Sequence, residues 1–480
     1  MSPRLSDLVA SDLSADPAIS GVTADSRKVR PGYLFAAMPG ARVDGRTFIP
    51  AALKAGAAAI LAPDDVTDLP VPVAHAADPR RAYALAAAAF WEHQPEVAVA
   101  VTGTNGKTSV AAFCRQIFGR LGRHAASMGT LGVVAGDTQL APPGLTTPDA
   151  ADVAETLARL SAMGVTHLAL EASSHGIDQR RLDGVRLRAA GFTNLTLDHL
   201  DYHGTMGVYR AAKLRLFETL LPHGGTAVLN ADSDAFGAFA AVARLSGQTV
   251  FSVGWEGHGL TLVSQTPTAH GQRLRIRCED LNYDIDLPLA GAFQASNALV
   301  AAGLCIAAGE KPDAVIAALA HLEGAAGRLQ LIGRAAAGGE AYIDYAHTPD
   351  GLETVLTALR PHASGRLIVV FGAGGDRDRS KRPVMGEIAT RLADVAIITD
   401  DNPRSEDPAT IRAAIAAAAP TASVIGDRHQ AIIAAVGQLR EGDVLVVAGK
   451  GHELGQIVGA EILPFDDAAE VRAALEARDD

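Results

Sequence analysis

The chain has 480 residues, 48% of them hydrophobic and 20% charged, a composition that excludes a disordered protein and suits several folded domains. Its formal net charge of −12 argues against a general nucleic-acid or anionic-membrane surface, which needs excess Lys and Arg. Cys114, Cys278 and Cys305 lie far apart without paired spacing, which indicates neither a disulfide framework nor a zinc site and leaves three small buried residues as the expectation.

The N-terminal MSPRLSDLVASDLS lacks the apolar core of a signal peptide, and apolar runs such as YALAAAAFW at 83–91 are too short to span a bilayer. A cytoplasmic protein with no membrane or nucleic-acid partner is expected. Residues 1–87 open with short strand and turn signals, ISGVTADSRKVRPGYLFAAMPG, followed by one amphipathic stretch, AALKAGAAAILAP, and read as a small α/β domain.

Residues 88–326 form a second segment, opening with EVAVAVTGTNGKTS. A β-branched run breaks into a loop holding Gly103, Gly106, Lys107 and Thr108, the pattern of a phosphate-binding loop. Backbone N–H groups and a helix N-terminus face an anion there, Lys107 reaches a terminal phosphate, and the Thr108 hydroxyl suits Mg²⁺. Val101 stands where the common pattern has its first glycine, so the loop is a shortened variant. The runs THLALEASS, AAGFTNLT and GTAVLNAD alternate with helical patterns, predicting a mostly parallel sheet. Glu171 and His175 follow one of these runs in LEASSHG, and Asp198 and His199 follow the next in NLTLDHLDYH, a carboxylate and imidazole set suited to a cation.

Residues 327–480 carry their own strand series, AYIDYA, RLIVVFGAGG, DVAIITDDNP and DVLVVAGKGHE, and ligands bind beyond the carboxyl ends of such strands. GAGGDRDRSKRP has misplaced glycines for a dinucleotide site and suits a carboxylate ligand. With DNPRSEDP and GKGHE it would suit a small zwitterion, although Asn402-Pro403 and Ser405-Glu406 read equally well as a turn and a helix cap. Lys213, Arg328 and His347 are uninformative by spacing alone.

Taken together, TGTNGKTS, LEASSHG, NLTLDHLDYH, GAFQASN, GRLQ, DYAHTPD, GGDRDRSKRP, DNPRSEDP and GKGHE, in this order along almost the whole chain, resemble the Mur ligases of peptidoglycan synthesis. The shortened loop is that family's form. The resemblance implies an α/β fold of three domains: a small N-terminal α/β domain that binds a UDP-sugar, a central phosphate-loop ATPase-like domain with a mostly parallel sheet, and a C-terminal Rossmann-like domain that binds an amino acid. It also implies an ATP-dependent amide ligase, working through an acyl phosphate as a monomer.

By that resemblance Gly103, Thr104, Asn105, Gly106, Lys107, Thr108 and Ser109 hold ATP, with Asn297, Arg328 and His347 also facing the nucleotide. Thr108 and Glu171 would hold one Mg²⁺ and His199 a second, helped by Lys213 as an N-carboxylated carbamate. Lys107, Glu171, His199 and Lys213 are the implied catalytic set. Ser26 would contact the uridine diphosphate portion, and Thr146, Thr147, Ser173, Gln179 and Arg181 the muramoyl peptide of UDP-N-acetylmuramoyl-L-alanyl-D-glutamate. Arg377, Asp401, Asn402, Pro403, Arg404, Gly449 and Glu453 would take meso-2,6-diaminopimelate, its distal carboxylate pairing with Arg404.

Overall fold

The structure, a computed structural model, describes residues 2–40 and 43–479. It divides into two compact units, one of residues Met1–Gly259 with Val300–Val315, the other of Leu260–Leu299 with Ile316–Asp480.

In the first unit, Gly21–Thr23, Tyr33–Ala36, Ala59–Ala62 and Val73–His75 form a parallel four-stranded sheet in sequence order. The stretch expected to be one amphipathic element divides in two, the helix Ile49–Lys54 and the strand Ala59–Ala62. Gly56, at φ +94, turns the chain between them where an L side chain would be strained. The helix Pro79–Trp91 starts at Asp78, whose carboxylate accepts from Arg81 N at 3.0 Å, and runs through the expected 87/88 boundary.

The larger sheet of this unit runs in the order Thr249–Gly254, Thr226–Asn230, Ala189–Phe192, Val97–Thr102, His167–Glu171, Ala125–Gly129, Gly132–Ala135 and Thr138–Ala141. Neighbours are parallel as far as Ala125–Gly129, after which a hairpin adds the two antiparallel strands. The central strands Val97–Thr102 and His167–Glu171 are almost wholly buried, so their sequences read as continuous apolar runs, and both end on the same edge, with Val101 opposite Glu171.

The second unit contains the meander Leu260–Thr268, Gly271–Cys278 and Leu281–Leu287 and a six-stranded sheet. The sheet order is Gln330–Arg334, Glu340–Asp344, Val444–Ala448, Leu367–Phe371, Val395–Ile398 and Ser423–Val424, parallel except for the first strand. Both of its faces are packed, one under helices carrying Leu352, Leu356 and Met385, the other under Ile432, Val436 and Val471. Among the described residues no helix is long and apolar enough to cross a membrane.

Candidate functional site

The loop after Val97–Thr102 is shaped by two glycines: Gly103 at φ +155, and Gly106 at φ +87, which caps the helix Lys107–Arg120. A Cβ on Gly103 would lie 1.8 Å from Thr193 Oγ1, so the neighbouring strand end closes tightly on the loop. Thr104 N donates to Asn194 O at 2.9 Å, Asn105 N to Asn194 Oδ1 at 3.0 Å, and Thr193 Oγ1 to Asn105 O at 2.6 Å. Lys107 Nζ donates to the carbonyls of Gly103 and Thr104, both at 2.8 Å, which holds its charge over the loop. Ser109 is buried in the first turn of the helix.

Glu171, at the buried end of its strand, joins this loop to the residues expected to bind the second substrate. Thr108 Oγ1 donates to its Oε2 at 2.9 Å, Thr130 Oγ1 to the same oxygen at 3.2 Å, and Thr130 N to Oε1 at 2.8 Å. Thr130 and Thr146 share a hydroxyl contact of 2.9 Å. Thr147 Oγ1 donates to the Glu171 carbonyl at 3.0 Å and accepts from Ser173 N and Oγ at 3.1 and 3.0 Å. Arg181 donates to Thr147 O at 2.6 Å and to Gln179 Oε1 at 2.7 Å. Thr108, Glu171, Thr146, Thr147, Ser173, Gln179 and Arg181 therefore lie in one network. Ser26 lies outside it, part-exposed in the short turn Ser26–Lys28. Its segment is tied in through Tyr83, whose hydroxyl accepts from Ala24 N at 3.2 Å and donates to Asp149 at 2.6 Å.

Lys213, from the helix Met206–Arg215, is 1% exposed, and its amine donates to the Gly103 carbonyl at 2.8 Å, the carbonyl that Lys107 also uses. Burial, and then the positive charge of Lys107, hold its pKa well below the usual lysine range. Losing its proton therefore costs this amine less than it costs an exposed lysine. Tyr209 lies beside it, 4.5 Å from Nζ to ring centroid, and the half-exposed His199 lies 6.0 Å beyond, ring to ring. His199 has φ +52, its N–H donating to Asp198 Oδ1 at 2.8 Å, and its ring is 4.9 Å from that of His175.

These donors fit Mg²⁺. The Thr108 hydroxyl and the Glu171 carboxylate are hard oxygens already in contact. Among the described residues no group of three or more His, Cys, Asp and Glu is set to hold a metal alone, and Mg²⁺ usually takes one or two carboxylates and completes its shell with water and substrate phosphate.

The second unit holds the remaining expected nucleotide residues. Asn297 Nδ2 donates to Gln294 Oε1 at 3.2 Å, and Gln294 Nε2 to the Arg328 carbonyl at 3.2 Å. The Arg328 guanidinium lies 4.9 Å above the Tyr345 ring, with its buried Nε unpartnered. The His347 ring is 4.5 Å from the same tyrosine.

Three strand ends of the six-stranded sheet converge in this unit. Gly375 N donates to Asn402 O at 2.9 Å, and a Cβ on Gly375 would sit 1.9 Å from Pro403 O. Asn402 Nδ2 donates to Glu453 Oε2 at 2.8 Å. Gly449, at φ +120, approaches Asp401 so closely that a Cβ would lie 2.4 Å from Oδ2. Arg404, at φ +51, donates from Nη1 to Gly375 O at 2.9 Å. Arg377 is exposed on the first of these loops. The helix-cap reading of Ser405-Glu406 is corrected: Asp407 caps the next helix, while Ser405 Oγ donates to Asp376 at 2.6 Å and Glu406 accepts from Asp376 N at 2.7 Å. Those two residues tie loop to loop instead.

Sequence reasoning missed Thr130, Tyr209 and Lys450. Thr130 and Tyr209 stand in unremarkable strings. Lys450 could have drawn notice through its glycine neighbours, of which Gly449 lets the chain pass close to Asp401 and Gly451 lets it pass close to Gly327 and Tyr345.

Three family models match the chain: Mur ligase family, catalytic domain, at residues 18–100; Mur ligase middle domain, at 101–305; and Mur ligase, glutamate ligase domain, at 327–451. A Caulobacter vibrioides protein named UDP-N-acetylmuramoyl-L-alanyl-D-glutamate--2,6-diaminopimelate ligase is 68% identical over 485 aligned positions, covering 100% of both chains. One of the same name from Mesorhizobium japonicum is 55% identical over 468 positions, covering 97% of this chain and 96% of that one. A solved structure of a protein with that name is 33% identical, with a TM-score of 0.77 over 99% of each chain.

Proposed function

The chain belongs to the Mur ligase family, and we propose that it is the ATP-dependent ligase joining meso-2,6-diaminopimelate to the D-glutamate side-chain carboxylate of UDP-N-acetylmuramoyl-L-alanyl-D-glutamate. ATP lies with its phosphates along the Gly103–Ser109 loop, where backbone N–H groups, the helix N-terminus and Lys107 present positive charge. Asn297, Arg328 and His347 complete the nucleotide's surroundings. Thr108 and Glu171 would hold one Mg²⁺ and His199 with carboxylated Lys213 a second, and the ions would supply positive charge to the phosphate oxygens. The burial of Lys213 and its lowered pKa support the carbamate, because only an unprotonated amine adds to carbon dioxide, losing a proton as the anion forms.

Ser26 takes the uridine diphosphate end, while Thr146, Thr147, Ser173, Gln179 and Arg181 hold the muramoyl peptide. The glutamate carboxylate takes the terminal phosphoryl group from ATP, leaving ADP and an acyl phosphate. The amine of diaminopimelate, oriented by Arg377, Asp401, Asn402, Pro403, Arg404, Gly449 and Glu453, attacks the acyl carbon. Phosphate leaves and the amide forms. We assign this work to a cytoplasmic monomer of three domains, at 1–87, 88–326 and 327–480.

The observation that carries the reading is the network that runs from Thr108 of the phosphate loop through Glu171 to Thr147, which Ser173 and Arg181 bond in turn. Phosphate release with ATP, Mg²⁺ and UDP-N-acetylmuramoyl-L-alanyl-D-glutamate tests it, adding diaminopimelate or L-lysine in parallel, for wild type and Arg404→Ala. Turnover with diaminopimelate and its loss in the variant are expected. Turnover with lysine, or with neither amine, would refute the assignment.

A further inference from the structure

Lys450, directly after Gly449, is wholly buried: its side chain is 0% exposed. A buried ammonium persists only where partners replace water, and here they belong to the amino-acid pocket. Nζ lies 3.3 Å from Asn402 Oδ1 and 3.2 Å from Glu453 Oε2, and it donates also to the Gly455 carbonyl. Asn402 Oδ1 accepts a second donor, Ile457 N, at 2.9 Å. Two donors on that oxygen orient the carboxamide, so its Nδ2 must point at Glu453 Oε2, 2.8 Å away. Glu453 Oε2 thus takes two donors from inside, while the side chain remains 33% exposed and Oε1 makes no hydrogen bond among the described residues.

We propose that Lys450 is a positioning residue that sets amino-acid specificity through Glu453 and Asn402. Anchoring Oε2 turns Oε1 outward as a single acceptor for the substrate's distal ammonium. The charge of Lys450 also balances that of Glu453, leaving Arg404 and Arg377 against the single carboxylate of Asp401, so that the pocket's remaining charge is positive. A distal end bearing both ammonium and carboxylate is then favoured over a lone ammonium. This inference rests on diaminopimelate being the substrate.

The test is steady-state phosphate release with diaminopimelate or L-lysine for wild type, Lys450→Met, Glu453→Gln and the double variant. Lys450→Met should raise KM for diaminopimelate roughly ten- to a hundredfold, the scale of a lost charge-assisted hydrogen bond. KM for ATP and for the nucleotide-sugar substrate should stay within about twofold, and the preference for diaminopimelate over lysine should narrow. In the double variant the loss should not exceed that of Glu453→Gln, because Lys450 acts through that carboxylate. An unchanged KM for diaminopimelate, a rise shared by all three substrates, or additive losses would overturn the proposal. If Lys450→Met does not fold, comparing the charge-balanced double variant with Glu453→Gln decides the same point: equal KM supports it, a further tenfold loss refutes it. Failure of the wild type to use diaminopimelate would instead refute the function proposed above.

Discussion

Asp344 and His452 flank the Arg328 segment and titrate in opposite senses. Burial pushes the Asp344 carboxyl up from 3.8 to about 6, although it accepts Leu329 N at 2.6 Å and Ala346 N at 2.8 Å. Burial, and then the charge of Arg328, push the His452 imidazole down from 6.5 to about 4. As pH rises from 3.8 to about 6, the folded chain holds more protons at Asp344 than the unfolded chain, so this group's contribution to stability falls. Between about 4 and 6.5 the unfolded chain holds more at His452, and that contribution grows with pH. The two slopes oppose each other, and single variants separate them. Relative to wild type, the Tm of His452→Gln should drop further as pH rises from 4 to 6.5, and the Tm deficit of Asp344→Asn should shrink over the same range. Thermal unfolding across that window checks this, and variants whose profiles run parallel to wild type would contradict it.

At the scale of elements, the hairpin that follows Ala125–Gly129 sets where Glu171 points. A Cβ on Gly129 would lie 2.1 Å from Glu171 Oε1, and the next residue, Thr130, supplies two of that carboxylate's donors. Gly129→Ala should therefore push the carboxylate off Thr108 while leaving the phosphate loop itself in place. Outer-shell changes of this kind typically cost about ten- to a hundredfold in metal affinity or activity. Calorimetric titration of ADP with and without Mg²⁺ should show the Mg²⁺-dependent gain reduced by that factor, and an undiminished gain would mean that Glu171 is positioned otherwise. No sequence pattern pointed to Gly129, because its role is an approach between strands far apart in the chain. The phosphate loop was legible because glycines, lysine and threonine act within a few residues of one another. The alternation of QRLRIRC, with Arg273, Arg275 and Arg277 exposed, was a readable strand signal that went unused. The structure pairs Arg273 with Asp286 and Arg275 with Asp284 across the meander, each at 2.8 Å.

At the scale of the whole molecule, the residues assigned to the reaction are divided between the two units. The phosphate loop, Glu171, Lys213 and the assigned contacts to the nucleotide-sugar substrate belong to the first, while Asn297, Arg328, His347 and the amino-acid loops belong to the second. That division was legible only as an order of motifs, since nothing local to Lys213 or Arg328 distinguishes them from solvated side chains. It has a measurable consequence, because binding and turnover should respond separately to changes in the second unit. Arg328→Ala removes a guanidinium that packs on Tyr345 and leaves the Thr147 network untouched. Its Kd for UDP-N-acetylmuramoyl-L-alanyl-D-glutamate should therefore stay within about twofold of wild type, whereas phosphate release should fall by roughly a hundredfold or more, the scale for losing a charge on a transferring phosphoryl group. Equilibrium titration of the nucleotide-sugar substrate beside steady-state turnover separates the two effects. A parallel tenfold loss in substrate binding would mean that Arg328 serves that substrate's site, and the assignment of the guanidinium to ATP would fall with it.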